Sequence, residues 1–277
     1  MSELLRKLPP HIAGQGTMAK RFWGQSLAMM PVFVTACVIS GFEVLRFFSV
    51  CLVSALAFDF LMTKFLKKKE TLSNGETVLA AALFSLLLPS GCPAEVIILG
   101  VFVARVLACE LFGGIGASPF HPLLGARIFL QVSFPSIMGE PVFLTHGNLW
   151  TVAALAAGGA LLLKQRQIYG ETPFLFIMIC YLCTVPFTGW GAPLSFYATV
   201  LFVAFFLLTD PASLPLSRKG VFLFVAGTAL FSSGWGSGVS IRSASYAVLL
   251  MNLLTPWIDL GVRPRFYKKP LSGAVPL

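Results

Sequence analysis

The sequence predicts an all-α, polytopic membrane protein of about ten transmembrane helices, and three observations carry that prediction. Hydrophobic residues make up 57% of the 277 and charged residues 11%, with a mean hydropathy of +0.85, far from the averages of soluble domains. Charge-poor runs recur at lengths close to the roughly 20 residues that a helix needs to cross about 30 Å of hydrocarbon. Lysines and arginines collect between those runs, where they can report topology.

Taken in order, residues 22–42 hold no charge, 47–63 only Asp59, 77–94 none, and 96–111 only Arg105 and Glu110. A fifth span runs over 118–134 despite Arg127, and a sixth over 149–163, closed by Lys164 and Arg166. Residues 172–209 are uncharged for 38 positions, too long for one span, and "VPFTGWGAP" in the middle supplies the breakers of a tight hairpin. Residues 220–241 and 243–257 complete the set. No cleavable signal peptide is expected.

In a ten-span arrangement, 16 of the 20 basic residues fall on one side of the membrane. They are Arg6, Lys7, Lys20 and Arg21, Lys64 and Lys67 to Lys69, Lys164 and Arg166, Arg218 and Lys219, and Arg263, Arg265, Lys268 and Lys269. Both termini are therefore expected in the cytoplasm of a bacterial or archaeal cell, with the protein in its cytoplasmic membrane. The net charge of +9 reads as topology and contact with the lipid bilayer, and no nucleic-acid partner is expected.

Shifting the chain by 95 residues brings Gly75, Glu76 and Thr77 onto Gly170, Glu171 and Thr172, Ala117 and Ser118 onto Ala212 and Ser213, and Gly125 and Phe129 onto Gly220 and Phe224. Each copy runs from "GET" through a span, a Pro and Gly hairpin and a second span into a breaker-rich stretch, "FGGIGASPFHP" or "TDPASLPLS". The expected organisation is a cytoplasmic segment 1–21, a five-helix repeat 22–140, a second repeat 141–258 and a cytoplasmic tail 259–277. An odd number of spans per copy inverts the second in the membrane, and in such folds broken helices meet near the midplane.

That arrangement explains why helix breakers and ionisable groups share "ELFGGIGASPFHPLLGARIFL" at residues 110–130. Exposed backbone groups at half-helix ends are the polar ligands available in an apolar medium. Gly113, Gly114 and Gly116 let the chain unwind, Pro119 and Pro122 can open a new half-helix, and Asp210 with Pro211 does the equivalent in the second copy. Candidates for an ion path or gate are Glu110, Phe112, Gly113, Gly114, Gly116, Phe120, His121, Asp210 and Pro211. The plainer reading, two turns at the membrane edge with Asp210 as an N-cap, stays open.

These residues also carry a family resemblance. "ELFGGIGASPFHPLLGARIFLQVSFP" resembles the "K-x-x-x-GGxGxNxFNPAxxG…SFP" block of the D component of the Rnf complex and of its relative, the B component of the sodium-pumping NADH:quinone oxidoreductase. "GETVLAAALFSLLLP", "FFLLTDPASLPLSRKG" and "SYAVLLMNLLTPWIDLGVRPRFY" extend the likeness in order over residues 20–267. The resemblance implies a ten-span protein, with other Rnf-type membrane and redox subunits as partners. Their complex couples electron transfer to the movement of sodium ions or protons.

The departures bear on chemistry. The family's extracytoplasmic loop with "S-G-A-T", whose threonine carries FMN, is represented here by the 14-residue "PSIMGEPVFLTHGN" with Thr145 its sole threonine. No covalent FMN is expected, so any flavin, FMN or riboflavin, is noncovalent. "SGAVPL" at 272–277 lacks a hydroxyl at Val275. His121 stands where the family has Asn, and the family's lysine before the glycines is replaced by residues around Arg105 and Cys109. His121 can titrate or ligate, but a histidine bonded to backbone beside a broken helix is the commoner arrangement.

Asp59, Arg105, Glu110, Arg127, Asp210 and Asp259 need partners or water, because a central Asp or Arg costs at least about 2.5 kcal/mol on insertion scales. Arg105 and Glu110 are five residues apart, the wrong spacing for a pair on one helix, and Asp59 on another span is one partner open to Arg105. Cys180 and Cys183 lack a second pair at metal-ligand spacing, so no metal site is expected. No catalytic motif of a soluble enzyme is present. Two functions remain: a membrane subunit of an Rnf-type redox complex, or a stand-alone channel or transporter for a small solute on the same scaffold.

Overall fold

The computed structural model describes residues 18–66, 75–114, 117–165, 170–188, 192–209, 214–215, 217–234 and 238–262. Among them every regular element is helical. The first group is α1 (Met18–Ser40), α2 (Phe42–Leu66), α3 (Glu76–Leu87), α4 (Ala94–Phe102) and α5 (Pro122–Ser133). The short α6 (Val142–Thr145) precedes α7 (Leu149–Lys164), α8 (Glu171–Thr188), α9 (Leu194–Phe202), α10 (Arg218–Ser233) and α11 (Ile241–Val262).

Three of these helices, α1, α2 and α11, are long and apolar enough to cross a membrane. Of the others, α3 and α5 are shorter than the runs expected to hold them, and prolines set the limits. Residues 77–94 were expected as one span, but α3 ends at Leu87 because Leu88, preceding Pro89, is extended (φ −86°, ψ 144°). Likewise α5 opens at Pro122 rather than near residue 118, with His121 before it extended at φ −64°, ψ 112°. At 1.5 Å per residue the 12 residues of α3 and of α5 reach only about 18 Å, so each is a partial-depth helix.

The second half repeats a local distortion of the first. Pro93 caps α4 and Pro193 caps α9, both extended. Each helix then widens into a π turn, Val103–Leu107 and Val203–Leu207. The turns close through Ala108 N–H to Val103 O at 2.9 Å and Leu208 N–H to Val203 O at 2.8 Å. The match at a spacing of 100, against 95 for the "GET" residues, fits an insertion within the second hairpin.

Packing is tight where glycine removes a side chain. At Gly158 of α7 a Cβ would lie 2.6 Å from the Ala28 carbonyl oxygen of α1, and at Gly159 one would lie 2.7 Å from the Phe205 ring. Elsewhere α2 packs on α3 and α4, α10 lies between α8 and α11, and α11 meets α5. Phe84, Phe176, Phe202 and Phe224 fill the interior. Outward, α1 shows Trp23, Leu27, Met30, Val34 and Val38, an apolar stripe at helical spacing suited to hydrocarbon.

Candidate functional site

The breaker stretch begins where α4 ends. Past the π turn, Cys109 leads into a 3₁₀ turn at Glu110–Phe112. Gly113 and Gly114 follow at φ 116° and 94°, a region that L side chains enter only with strain. Three short bonds hold the turn: Gly113 N–H to Glu110 O at 3.2 Å, Gly114 N–H to Cys109 O at 3.0 Å, and Ala117 N–H to Gly114 O at 3.1 Å. The chain then runs through Ser118 to His121 into α5.

Phe112 and Phe120 meet across this break, edge to face, with centroids 6.0 Å apart at 75°. Phe120 also covers Gly125, where a Cβ would lie 2.8 Å from its ring. Gly114 and His121 are buried, Glu110 and Phe120 half-buried, and Phe112 and Gly113 exposed. Glu110, Gly113 and Gly114 thus share one turn, over which Phe112 and Phe120 meet. Gly116, Asp210 and Pro211 lie outside the described residues.

Two buried arginines frame the break and grip opposite ends of α3. Arg105, on the π turn and 6% exposed, donates from Nε to Asp59 Oδ1 and from Nη2 to Asp59 Oδ2, both at 2.9 Å. Its Nη1 donates to Glu76 Oε1 at 2.7 Å, and Thr77 Oγ1 donates to Asp59 Oδ2 at 2.6 Å. This fork geometry gives charge-assisted bonds on two sides of one guanidinium. At the other end, Arg127 donates from Nη1 to Leu87 O at the C-terminus of α3 and from Nη2 to Gly139 O at 2.9 Å. The partial negative charge of a helix C-terminus favours a cation there.

Asp59, named from sequence as one partner open to Arg105, is that partner. Glu76 escaped the sequence reading because it served only as a marker of the repeat. The available signal was a carboxylate at the start of an apolar run, on the same side as Asp59. The carbonyl partners of Arg127 had no sequence signal, since every residue carries a carbonyl.

Beside the break lies a cavity of about 480 Å³, lined by Val103, Leu107, Ala108, Pro119, Phe120, Gly125, Leu249, Asn252, Leu253 and Pro256. It is apolar apart from Asn252 and falls within the range of small-molecule sites. Among the described residues no group of three or more His, Cys, Asp or Glu could hold a metal ion.

Apolar outward faces, helices long enough to span and a glycine break framed by two buried arginines fit an integral membrane protein. The chain belongs to the NQR2, RnfD, RnfE family, whose profile matches residues 6–146 and 141–268. It is 26% identical to the D component of the ion-translocating oxidoreductase complex of Methanosarcina acetivorans, the alignment covering 96% of each chain. Identity is also 26%, over 93% of each, to the D component of the Na⁺-translocating ferredoxin:NAD⁺ oxidoreductase complex of Acetobacterium woodii. It is 24% to the proton-translocating counterpart of Clostridium ljungdahlii, covering 92% of this chain and 93% of that one.

Proposed function

We propose that this protein is the RnfD-type membrane component of an Rnf-like electron-transport complex that couples redox chemistry to sodium-ion or proton translocation. The observation that carries the reading is the break after α4, with consecutive left-handed glycines at 113 and 114, in a chain of this family. Unwound backbone within an apolar bundle presents carbonyls and amides to a passing ion, and Phe112 against Phe120 supplies an apolar constriction that can gate by dewetting. Paired π turns 100 residues apart support two copies of one bundle, which we read as inverted, with both termini cytoplasmic. Its partners are the other membrane and redox subunits of the complex.

A noncovalent flavin, FMN or riboflavin, belongs to the same proposal. The 480 Å³ cavity has apolar walls, the Phe120 ring and the Asn252 amide, a lining that suits the flat ring of riboflavin better than FMN, whose phosphate would meet no cationic side chain there. When bound, flavin supplies one-electron and hydride chemistry; the chain's own residues bind and orient it and exclude water.

The test is expression with the partner subunits, followed by redox-driven ion uptake into inverted membrane vesicles. Gly114→Leu is expected to abolish uptake while membrane insertion and complex assembly stay at wild-type levels. Unchanged uptake in that variant would overturn the break as the path. A colourless protein that purifies alone and passes a small solute into liposomes would overturn the redox reading.

A further inference from the structure

Asp59 and Glu76 place two carboxylates in the interior of the bundle with one guanidinium between them. Asp59 is 8% exposed and Arg105 6%, so neither charge is screened by bulk water. The guanidinium takes both oxygens of Asp59 and one of Glu76 at 2.7–2.9 Å, and the Thr77 hydroxyl closes the shell on Asp59. Side chains from α2 and α3 therefore converge on one positive charge.

The second copy shows what occupies this place without charge. The matching contact in the second half, between α7 and its π turn, is made by Gly159 and Phe205, the Phe205 ring lying where a side chain at 159 would go. Both contacts join the helix before the repeat's "GET" residues to its π turn. At this contact one copy carries a charged pair and the other an apolar one, while Glu76 keeps a carboxylate counterpart in Glu171, which is exposed. The guanidinium of Arg105 is therefore the counter-charge that Asp59 requires in the interior.

We infer that Asp59 and Glu76 form a monovalent-cation site whose cation is built into the chain, the guanidinium of Arg105. Arginine does not lose its proton in a protein, so the occupant stays charged at any working pH. Tethering to the π turn gives it an effective concentration that a free ion in millimolar solution does not match. The two carboxylates are consequently closed to a travelling sodium ion. This inference does not rest on the redox or translocation reading, and its readout is independent of both.

The experiment follows the thermal unfolding midpoint of the purified full chain in detergent. Wild type is expected to keep one midpoint when sodium replaces potassium and when millimolar guanidinium or methylguanidinium is added. Arg105→Ala should unfold at lower temperature, and guanidinium should restore more than half of that loss in a saturable way. The response should vanish in Asp59→Asn with Arg105→Ala. An Arg105→Ala protein that ignores guanidinium, methylguanidinium and sodium would overturn the inference. So would a wild type that sodium stabilises saturably through Asp59. Should Arg105→Ala not accumulate, Arg105→Phe is compared with Asp59→Gly plus Arg105→Phe, the pair that the second copy carries. The double variant is expected to accumulate to several times the level of the single one, and equal levels would refute the built-in counter-charge.

Discussion

Gly158 shows how little room the interior leaves at one residue. The atom nearest to an added Cβ is the Ala28 carbonyl oxygen, 2.6 Å away, and a backbone atom inside a helix cannot step aside. Gly158→Ala is expected to destabilise the protein by about 1–3 kcal/mol, the range for overpacking, measured as a lower unfolding midpoint in detergent. Arg127 poses the opposite case, a buried charge that the structure uses. Arg127→Met keeps most of the volume but strips the donors from Leu87 O and Gly139 O. Each buried carbonyl left without a donor costs about 1–3 kcal/mol, so the variant should accumulate poorly and unfold early. The sequence announced that Arg127 needed partners; it did not announce which, because carbonyls are the same at every position.

Elements were legible where local chemistry sets them. Pro122 and Pro193 mark helix starts whatever surrounds them, since a proline fixes its own φ and pushes its predecessor into extended backbone. The break at Gly113 and Gly114 was equally plain, for only glycine adopts φ of 116° and 94° at no cost. Gly113→Ala is expected to lose about 1–2 kcal/mol from the left-handed strain alone, with complex assembly retained as judged by co-purification. The paired π turns were illegible: "VARVL" and "VAFFL" differ little from other apolar helix sequence. The turns pack against α2 and α5 in the first half and against α7 and α8 in the second, neighbours that a local sequence does not name. Helix length was misjudged over residues 77–94 and 118–134, because hydropathy registers an apolar run and not the point at which a proline bounds the helix within it.

At the scale of the molecule, the two halves are joined by a contact between positions about 100 residues apart. The Glu140 carboxylate accepts from the backbone N–H groups of Ile241 at 2.9 Å and Arg242 at 3.1 Å, which places a negative charge at the N-terminus of α11. Its neighbour Gly139 is held by Arg127, so α3, α5 and α11 share one junction. Glu140→Ala removes an N-terminal cap and should cost about 1–2 kcal/mol. Hydrogen exchange should show the loss concentrated in the first turns of α11. A uniform change across the chain would mean that Glu140 does not act as this local latch.

Composition, breakers and the order of four motif blocks determined by themselves that this is a helical membrane protein of the Rnf and Nqr type with a glycine break near residue 113. These features depend on the solvent that each side chain prefers and on backbone angles that only glycine or proline accepts, both properties of short stretches. Only the tertiary structure decided that Arg105 belongs to Asp59 and Glu76, and that Arg127 belongs to the end of α3. Such pairings join residues tens of positions apart. The energy of a buried charge depends on which groups the fold brings within about 3 Å of it.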